Sequence, residues 1–294
     1  MAKKAQRSFQ DKAMKEVSTT LDRLSGRYSR WEIWQDFVMM GAISIANVMD
    51  TPYRKDREQA YLDRAKKYRK EELESLASML AAVVIGMEAN PNQDFLGELY
   101  MGLGLGNEHA GQFFTPYHIC HLMAEMSAGE NLEAQVEEQG WISVNDPCCG
   151  GGALLLAFAN VCREKKINFQ TSVLFVAQDI DPTVAMMCYI QLSLMGCPGY
   201  VVVGNSILHP STSIDHRGLI PRDEGNVWYT PMYFSNIWQG RILCTQMDLL
   251  MQSAMQAKPA VATAENAHTA TETKPQAQPA VELTEGKAGQ LMLF

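Results

Sequence analysis

The stretch NDPCCGGGALLLAFA, residues 145–159, decides the expected fold. An Asp-Pro step is followed by three consecutive glycines and then by an apolar run with helical character. We expect a strand over residues 141–145, a turn over 146–152 and a helix over 153–162, so that the glycines lie where backbone can approach a ligand closely. An ordinary tight turn contains similar glycines, but two flanking segments, residues 111–116 upstream and residues 173–181 downstream, favour a cofactor-binding loop.

Two apolar segments downstream of this loop predict further strands of the same sheet. Residues 173–181 form an apolar run that ends in acids, and residues 200–203 are followed by Gly204, Asn205 and Ser206. Open α/β sheets bind ligands where their strands end, and an acid at the tip of the second strand is well placed to accept hydrogen bonds from ribose hydroxyls. This order of elements indicates an α/β domain with a ligand site at the strand tips.

Four segments in sequence order resemble one enzyme family. GQFFTP (111–116), NDPCCGGGALL (145–155), AQDIDP (177–182) and GNSI (204–207) look like the motifs of S-adenosylmethionine-dependent N6-adenine DNA methyltransferases, especially the modification subunit of type I restriction-modification systems. The resemblance covers residues 94–208. It implies a Rossmann-like methyltransferase core that binds S-adenosylmethionine, acts on DNA and carries a helical N-terminal region that helps to engage partners or DNA.

The resemblance also implies roles for individual residues. Asp146 would receive the ammonium group of the cofactor, Asp179 would take the ribose hydroxyls, and Ile180 would pack on the adenine. Asn205 stands where the family usually has an acid, so it keeps an acceptor without the charge. Each of these residues also fits an ordinary helix cap or strand end. The implied cofactor-binding residues are Phe113, Phe114, Thr115, Pro116, Asp146, Pro147, Gly150, Gly152, Asp179, Ile180 and Asn205.

The catalytic motif of the family is Asn-Pro-Pro followed by Tyr or Phe, and no Asn-Pro-Pro occurs in this chain. In the family, the Asn side chain and the proline carbonyl accept the hydrogens of the adenine amine, while the aromatic ring stacks on an adenine flipped out of the duplex. The nearest segment here is Thr-Pro-Met-Tyr, in which Thr230, Pro231 and Tyr233 would form a reduced catalytic set. A surface turn before Phe234 explains the same residues equally well.

The segment that follows this motif is short for a methyltransferase. A full methyltransferase sheet has seven strands, whereas residues 234–255 suffice for one helix or one hairpin. Three explanations are open: the domain is reduced, another chain supplies the missing edge, or the catalytic function has been lost. Our working hypothesis is an adenine-specific DNA methyltransferase of the restriction-modification type. The alternative is an inactive module of the same ancestry that binds cofactor or DNA and recruits other proteins.

Apolar residues at helical spacing predict helices over residues 31–49, 71–87 and 94–105. We therefore expect an N-terminal helical region over residues 1–93 and a methyltransferase-like domain over residues 94–255. The net charge of −8 argues against an indiscriminate nucleic-acid binder, although the first thirty residues carry eight basic and three acidic side chains. For this basic segment, a phosphate-contacting arm and a solubilising tail are equally open. A second basic run, residues 54–70, predicts a solvated helix face with salt bridges.

The last part of the chain has a different composition. Residues 256–286 are rich in Ala, Pro, Thr, Glu and Gln, which predicts a disordered linker. Within residues 287–294, the terminal peptide resembles the Q-L-x-L-F motif by which bacterial replication and repair proteins dock on the sliding clamp. The resemblance implies a bacterial or phage protein, whereas a tail that folds back on its own domain is the alternative. The implied clamp-binding residues are Gln290, Leu291, Leu293 and Phe294.

Composition limits the location and the metal chemistry that we expect. Seven cysteines without a C-x-x-C pair suit a reducing compartment. The absence of an apolar run near the ~20 residues of a membrane span, and of an apolar signal core, predicts a cytoplasmic protein. His118, Cys120 and His121 are spaced poorly for zinc, so we expect no metal site. The expected partners are DNA and, by resemblance, a specificity or restriction subunit.

Overall fold

A four-stranded mixed sheet lies at the centre of the computed structural model, which describes residues 2–106 and 114–256. Its strands are adjacent in sequence order: β1 (Ile142–Asp146), β2 (Val173–Asp179), β3 (Gly199–Val203) and β4 (Val227–Tyr229). The first three strands are parallel, and β4 runs antiparallel to β3. β2 is buried along almost its whole length, as the apolar run predicted, whereas β1 alternates in exposure because it is an edge strand.

Helices precede the sheet, connect its strands and follow it. A short 3-10 helix, Pro231–Phe234, follows β4. The helices are α1 (Ala2–Leu24), α2 (Arg30–Met49), α3 (Arg54–Ala65), α4 (Lys70–Ala89), α5 (Phe95–Gly102), α6 (Tyr117–Ala128), α7 (Leu132–Gln139), α8 (Ala153–Glu164), α9 (Phe169–Ser172), α10 (Pro182–Met195) and α11 (Asn236–Gln256).

The helix α10 joins the N-terminal helices to the sheet. Its residues from Thr183 to Leu192 are all buried, because it packs on β2 and β3 on one side and on α2 on the other. A helix that is apolar all round belongs in such an interior position. The described residues between Ala2 and Gln252 belong to one compact unit. The boundary that we expected between residues 93 and 94 therefore does not separate two cores.

The basic N-terminal segment forms a helix, α1, that packs on the rest of the protein. α1 packs on α4 and buries Ala13, Val17, Leu21 and Leu24, which recur every three or four residues. From residue 10 onward the described side chains of α1 therefore form an amphipathic helix, and contact of its basic side chains with phosphate stays a prediction.

The second basic run forms α3, as expected, but one of its arginines is buried. The pair between Lys66 and Asp63 is exposed, in agreement with a solvated face. Arg57, in contrast, pairs with the buried Asp50 and donates a hydrogen bond to the Val227 carbonyl oxygen at 2.9 Å. Its guanidinium also lies 4.2 Å from the ring centroid of Trp228. This buried cation attaches α3 to β4.

Most other expected elements are confirmed to within a few residues. The strand expected at residues 141–145 begins one residue later, and the strand expected at residues 173–181 ends at Asp179. It ends there because Asp181 caps α10 by accepting a hydrogen bond from the Thr183 N–H at 2.8 Å. None of the helices in the described ranges is long and apolar enough to cross a membrane. The expected linker and clamp peptide beyond Gln256, and Phe113, lie outside these ranges.

Candidate functional site

The loop between β1 and α8 adopts backbone conformations that favour glycine. Gly150 and Gly152 have φ angles of +50° and +92°. A Cβ atom at Gly152 would lie 2.7 Å from the Sγ atom of Cys188, and one at Gly151 would lie 3.4 Å from the ring of Phe114. The glycines therefore allow the loop to lie directly against α10 and against the aromatic ring on its other side.

A cavity of about 330 Å³ opens beside this loop, at the carboxyl ends of the parallel strands. Its lining includes five of the residues that the sequence predicts for a cofactor site, namely Phe114, Thr115, Asp146, Gly150 and Asp179. A larger cavity of about 540 Å³ lies between α4, α8 and α9 and contains none of them. The full lining of the smaller cavity is Asp94, Phe114, Thr115, Cys120, Met123, Asp146, Cys148, Cys149, Gly150, Gly151, Ala153, Leu154, Asp179 and Val184.

The two strand-tip acids are tied to the backbone around the loop. Asp179 accepts hydrogen bonds from the Gly150 N–H at 2.8 Å and from the Asp181 N–H at 3.0 Å. Asp146 accepts one from the Cys148 N–H at 3.2 Å. Burial raises the pKa of Asp146; the hydrogen bond from Cys148 opposes this rise, and the nearby Asp179 adds to it. Such carboxylates favour a ligand that brings positive charge or hydrogen-bond donors.

The other predicted cofactor residues lie outside the lining of this cavity. Ile180 follows Asp179 and is exposed. The Oδ1 atom of Asn205 accepts hydrogen bonds from the Ile207 and Leu208 N–H groups, at 3.0 and 3.1 Å, so its carbonyl closes a local turn after β3. Contact of these side chains with a cofactor stays a prediction. The same holds for Pro116, which precedes α6, for Pro147 within the loop and for Gly152, which precedes α8.

Asp94 also lines the cavity, although its sequence context did not predict a site residue. Its local signal, an acid three residues before Gly97, indicates only a helix N-cap, and the side chain does accept a hydrogen bond from the Gly97 N–H. A second signal was Gln191 in the middle of an apolar helix, because a buried amide needs hydrogen-bond partners. Neither pattern shows that α5 and α10 meet at the glycine loop.

The segment Thr-Pro-Met-Tyr lies near the amino ends of the parallel strands, at the end of the sheet opposite the cavity. β4 runs antiparallel to β3 and pairs Tyr229 with Tyr200, so Thr230 lies beside Gly199 at the start of β3. The cavity lies at the carboxyl ends of the parallel strands, which is about 13 Å along β3 from the position of Thr230. The structure therefore contradicts the expectation that Thr230, Pro231 and Tyr233 form a catalytic set next to the cofactor loop.

The contacts of this segment are those of a structural core. The Thr230 hydroxyl is fully buried, donates to the Cys197 carbonyl oxygen at 2.7 Å and accepts from the Gly199 N–H at 3.0 Å. The Tyr233 hydroxyl donates to the Leu219 carbonyl oxygen at 2.7 Å. The alternative of a surface turn is therefore also wrong, since both side chains are buried.

The histidines of α6 do not share one site with Cys120. Cys120 is buried and donates to the Thr115 carbonyl oxygen, whereas His118 is exposed. His121 lies between Glu125 and Glu164, with nitrogen–oxygen distances of 3.5 and 3.4 Å. In the described part of the chain this is the one group of three side chains that could hold a metal ion, and both acids are exposed. Its contacts are equally those of ion pairs between α6 and α8.

A protein-family model covers the cavity, the sheet and the loops between them. The model of the N-6 DNA methylases matches residues 92–277, which is more than half of the chain. The chain belongs to the N-6 DNA methylase family. No curated protein and no solved structure matches the chain. The resemblance to N6-adenine DNA methyltransferases that the motifs indicate is thereby confirmed at the level of the family.

Substitution of Thr230 by Val tests whether this residue has a structural role. The variant keeps the shape of the side chain but leaves the Gly199 N–H without its acceptor, so we expect unfolding free energy to fall by on the order of 1–3 kcal/mol. Affinity for a cofactor in the cavity should stay unchanged, because the cavity lies at the carboxyl ends of the parallel strands and Thr230 lies near their amino ends.

Urea denaturation and calorimetry measure the two quantities. Thr51→Val, at an exposed threonine, is the matched control and should change stability by less than about 0.5 kcal/mol. A Thr230→Val variant that keeps its stability would contradict the structural role.

Proposed function

We propose that the chain binds S-adenosylmethionine in the cavity beside the glycine loop and transfers its methyl group to N6 of adenine in DNA, as part of a restriction-modification system. The observation that carries the proposal is the joint position of Phe114, Asp146, Gly150 and Asp179 around one cavity, inside the region matched by the family model. Bound S-adenosylmethionine supplies an electrophilic methyl group. The chain must position that group and exclude water.

The residues around the cavity fit this cofactor chemically. S-adenosylmethionine carries a sulfonium, an ammonium and a carboxylate group, and the three carboxylates that line the cavity, Asp94, Asp146 and Asp179, complement its net positive charge. Asp179 can also accept hydrogen bonds from ribose hydroxyls, as an acid at the tip of the second strand does in related sheets. The ring of Phe114 stacks on Tyr100, with 5.4 Å between ring centroids, and provides a fixed apolar wall. The open glycine loop leaves space for close contact with a ligand.

Groups that accept the hydrogens of the adenine amine must come from outside the segment Thr-Pro-Met-Tyr, whose hydroxyls are already hydrogen-bonded. We propose that a partner subunit supplies some of these hydrogen-bond acceptors. β1 pairs with β2 alone among the described strands, and the side chains of Ser143 and Asn145 on it are exposed. An edge strand of this kind can accept a further strand from another chain. The same partner, a specificity or restriction subunit, would supply recognition of the DNA sequence.

A second candidate function follows from the buried Thr230 and Tyr233. If no other subunit completes the site, the chain is a module of methyltransferase ancestry that binds the cofactor and DNA without catalysis. The hydrogen bonds of Thr230 to Cys197 and Gly199 support this candidate, because they leave its hydroxyl no role in chemistry.

Loss of either strand-tip acid should weaken cofactor binding. We expect Asp146→Ala and Asp179→Ala each to lower the affinity for S-adenosylmethionine by about ten-fold or more, because each removes hydrogen bonds to a charged group. Isothermal titration calorimetry measures the affinity, and circular dichroism checks the fold.

Asp248→Ala is the matched control for these variants, since Asp248 is exposed on α11. Unchanged affinity in both cavity variants, with the fold intact, would remove the cofactor assignment.

Methyl transfer tests the enzymatic part of the proposal. Purified chain is incubated with unmethylated bacterial DNA and S-adenosylmethionine that carries a labelled methyl group. We expect label on N6 of adenine when candidate specificity or restriction subunits are added, and we expect the Tyr233→Phe variant to retain it because Tyr233 lies away from the cavity. Absence of label with every candidate subunit present, from protein that binds the cofactor, would support the non-catalytic candidate.

We also propose that the C-terminal peptide binds the bacterial sliding clamp and that the protein works in the cytoplasm on newly replicated DNA. The support is the sequence alone: Leu291, Leu293 and Phe294 provide apolar anchors, and Gln290 sets their register. The linker that the composition of residues 256–286 predicts would allow the peptide to reach the clamp.

Deletion of residues 290–294 should abolish binding to purified clamp and leave the melting temperature of the chain unchanged. Surface plasmon resonance measures binding, and Met292→Ala is the control because residue 292 occupies the variable position of the motif. Clamp binding that survives the deletion would rule out this role.

A further inference from the structure

We infer that Asp94 selects the charge of the ligand in this cavity, so that the chain binds the sulfonium cation S-adenosylmethionine in preference to its neutral product, S-adenosylhomocysteine. The inference rests on the proposed cofactor and adds a specificity-determining residue to it. Asp94 lies outside the four motifs that carry the family resemblance.

Asp94 is held rigidly beside the glycine loop. Its Oδ1 atom accepts hydrogen bonds from the Gly97 N–H at 3.0 Å and from Gln191 Nε2 at 2.7 Å. The same amide of Gln191 donates to the Gly151 carbonyl oxygen at 2.8 Å, and its Oε1 atom accepts from the Leu96 N–H at 3.0 Å. A Cβ atom at Gly151 would lie 3.6 Å from Asp94 Oδ1. The carboxylate therefore lies against the loop that the cofactor would contact.

The cavity contains negative charge without a counter-ion among the residues described. Its lining has three carboxylates, Asp94, Asp146 and Asp179, and no Lys, Arg or His. The side chain of Asp94 is almost fully buried. This burial raises the pKa of Asp94, while the hydrogen bonds from Gln191 and Gly97 oppose the rise. A buried carboxylate without a paired cation is unfavourable, and a cationic ligand removes that penalty.

The thiols around the cavity do not change this balance. Burial raises the pKa of Cys120 to about 11, so its thiol is neutral at physiological pH. The pKa of Cys149 is raised well above its usual value by a hydrogen bond with Cys188 and by burial. The charge of the described lining is therefore set by the three acids.

The two ligands differ by one methyl group and one positive charge. In methyl transfer, the bond between sulfur and the methyl carbon breaks, the methyl group bonds to the amine nitrogen, the bonding electrons stay on sulfur and the amine loses a proton to a base. The sulfur becomes a neutral thioether. A fixed carboxylate nearby should then prefer the cation by about ten-fold or more, since charges a few ångströms apart interact strongly when water is excluded. Loss of that charge after transfer would promote release of the product.

The test compares the affinities of the two ligands for wild-type protein and for Asp94→Asn. Asparagine keeps an oxygen that accepts from Gly97 and Gln191 but carries no charge. Titration calorimetry should give wild-type affinity about ten-fold or more higher for S-adenosylmethionine than for S-adenosylhomocysteine. In Asp94→Asn this ratio should fall several-fold, and the part that remains reflects the charges of Asp146 and Asp179. Glu98→Gln is the matched control, because Glu98 is an exposed acid of the same helix outside the lining, and it should keep the wild-type ratio.

The outcomes separate this inference from the proposed function. An unchanged ratio in Asp94→Asn, or an equal loss in Glu98→Gln, would overturn the role of Asp94 and leave cofactor binding intact. A wild-type ratio of one or less would overturn it without any variant. Failure of wild-type protein to bind either ligand would overturn the proposed function together with the inference. If Asp94→Asn does not fold, Asp94→Ser, which keeps a good N-cap, decides by the same ratio.

Discussion

Because β1, β2 and β3 are parallel, their carboxyl ends lie side by side. Asp146 and Asp179, the last residues of β1 and β2, therefore lie close to Gly204 and Asn205, which follow β3. The glycine loop leaves β1 at the same end of the sheet, and the Gly150 N–H donates to Asp179, so one hydrogen bond connects the tip of β2 to the loop that follows β1. The cavity is a consequence of this arrangement. Any reversal of one strand would remove its polar tip from the site, as the antiparallel β4 does for Thr230.

The N-terminal helices contribute to this end of the sheet through a buried polar contact. Gln191 of α10 joins Asp94 at the start of α5 to the Gly151 carbonyl oxygen in the loop. A buried amide that satisfies three partners at once fixes the distance between these elements, because each unsatisfied group would cost on the order of 1–3 kcal/mol. The helices before the sheet therefore form part of the candidate site and are not an independent appendage. The buried Arg57, bound to Asp50 and to the Val227 carbonyl oxygen, makes a similar connection at β4.

Some features of this fold are encoded in short stretches of sequence, and others depend on contacts between distant residues. The glycine loop, the strand with the acids at its tip and the helices of the N-terminal region are encoded in short patterns, and they could be predicted. The position of Asp94 in the cavity could not, because it depends on packing between α5, α10 and the loop. Thr230 and Tyr233 were assigned wrongly because no short pattern shows the direction of β4. The burial of Arg57 was not predicted for the same reason, because the sequence of a basic helix does not show whether a given arginine faces solvent or a neighbouring strand.

The most direct test of this account is a crystal structure of the chain with S-adenosylmethionine bound. The account predicts density for the cofactor between the glycine loop and Phe114, with its charged groups facing Asp94, Asp146 and Asp179, and no contact with Tyr233. Cofactor density near the amino ends of the parallel strands, beside Thr230 and Tyr233, would contradict it.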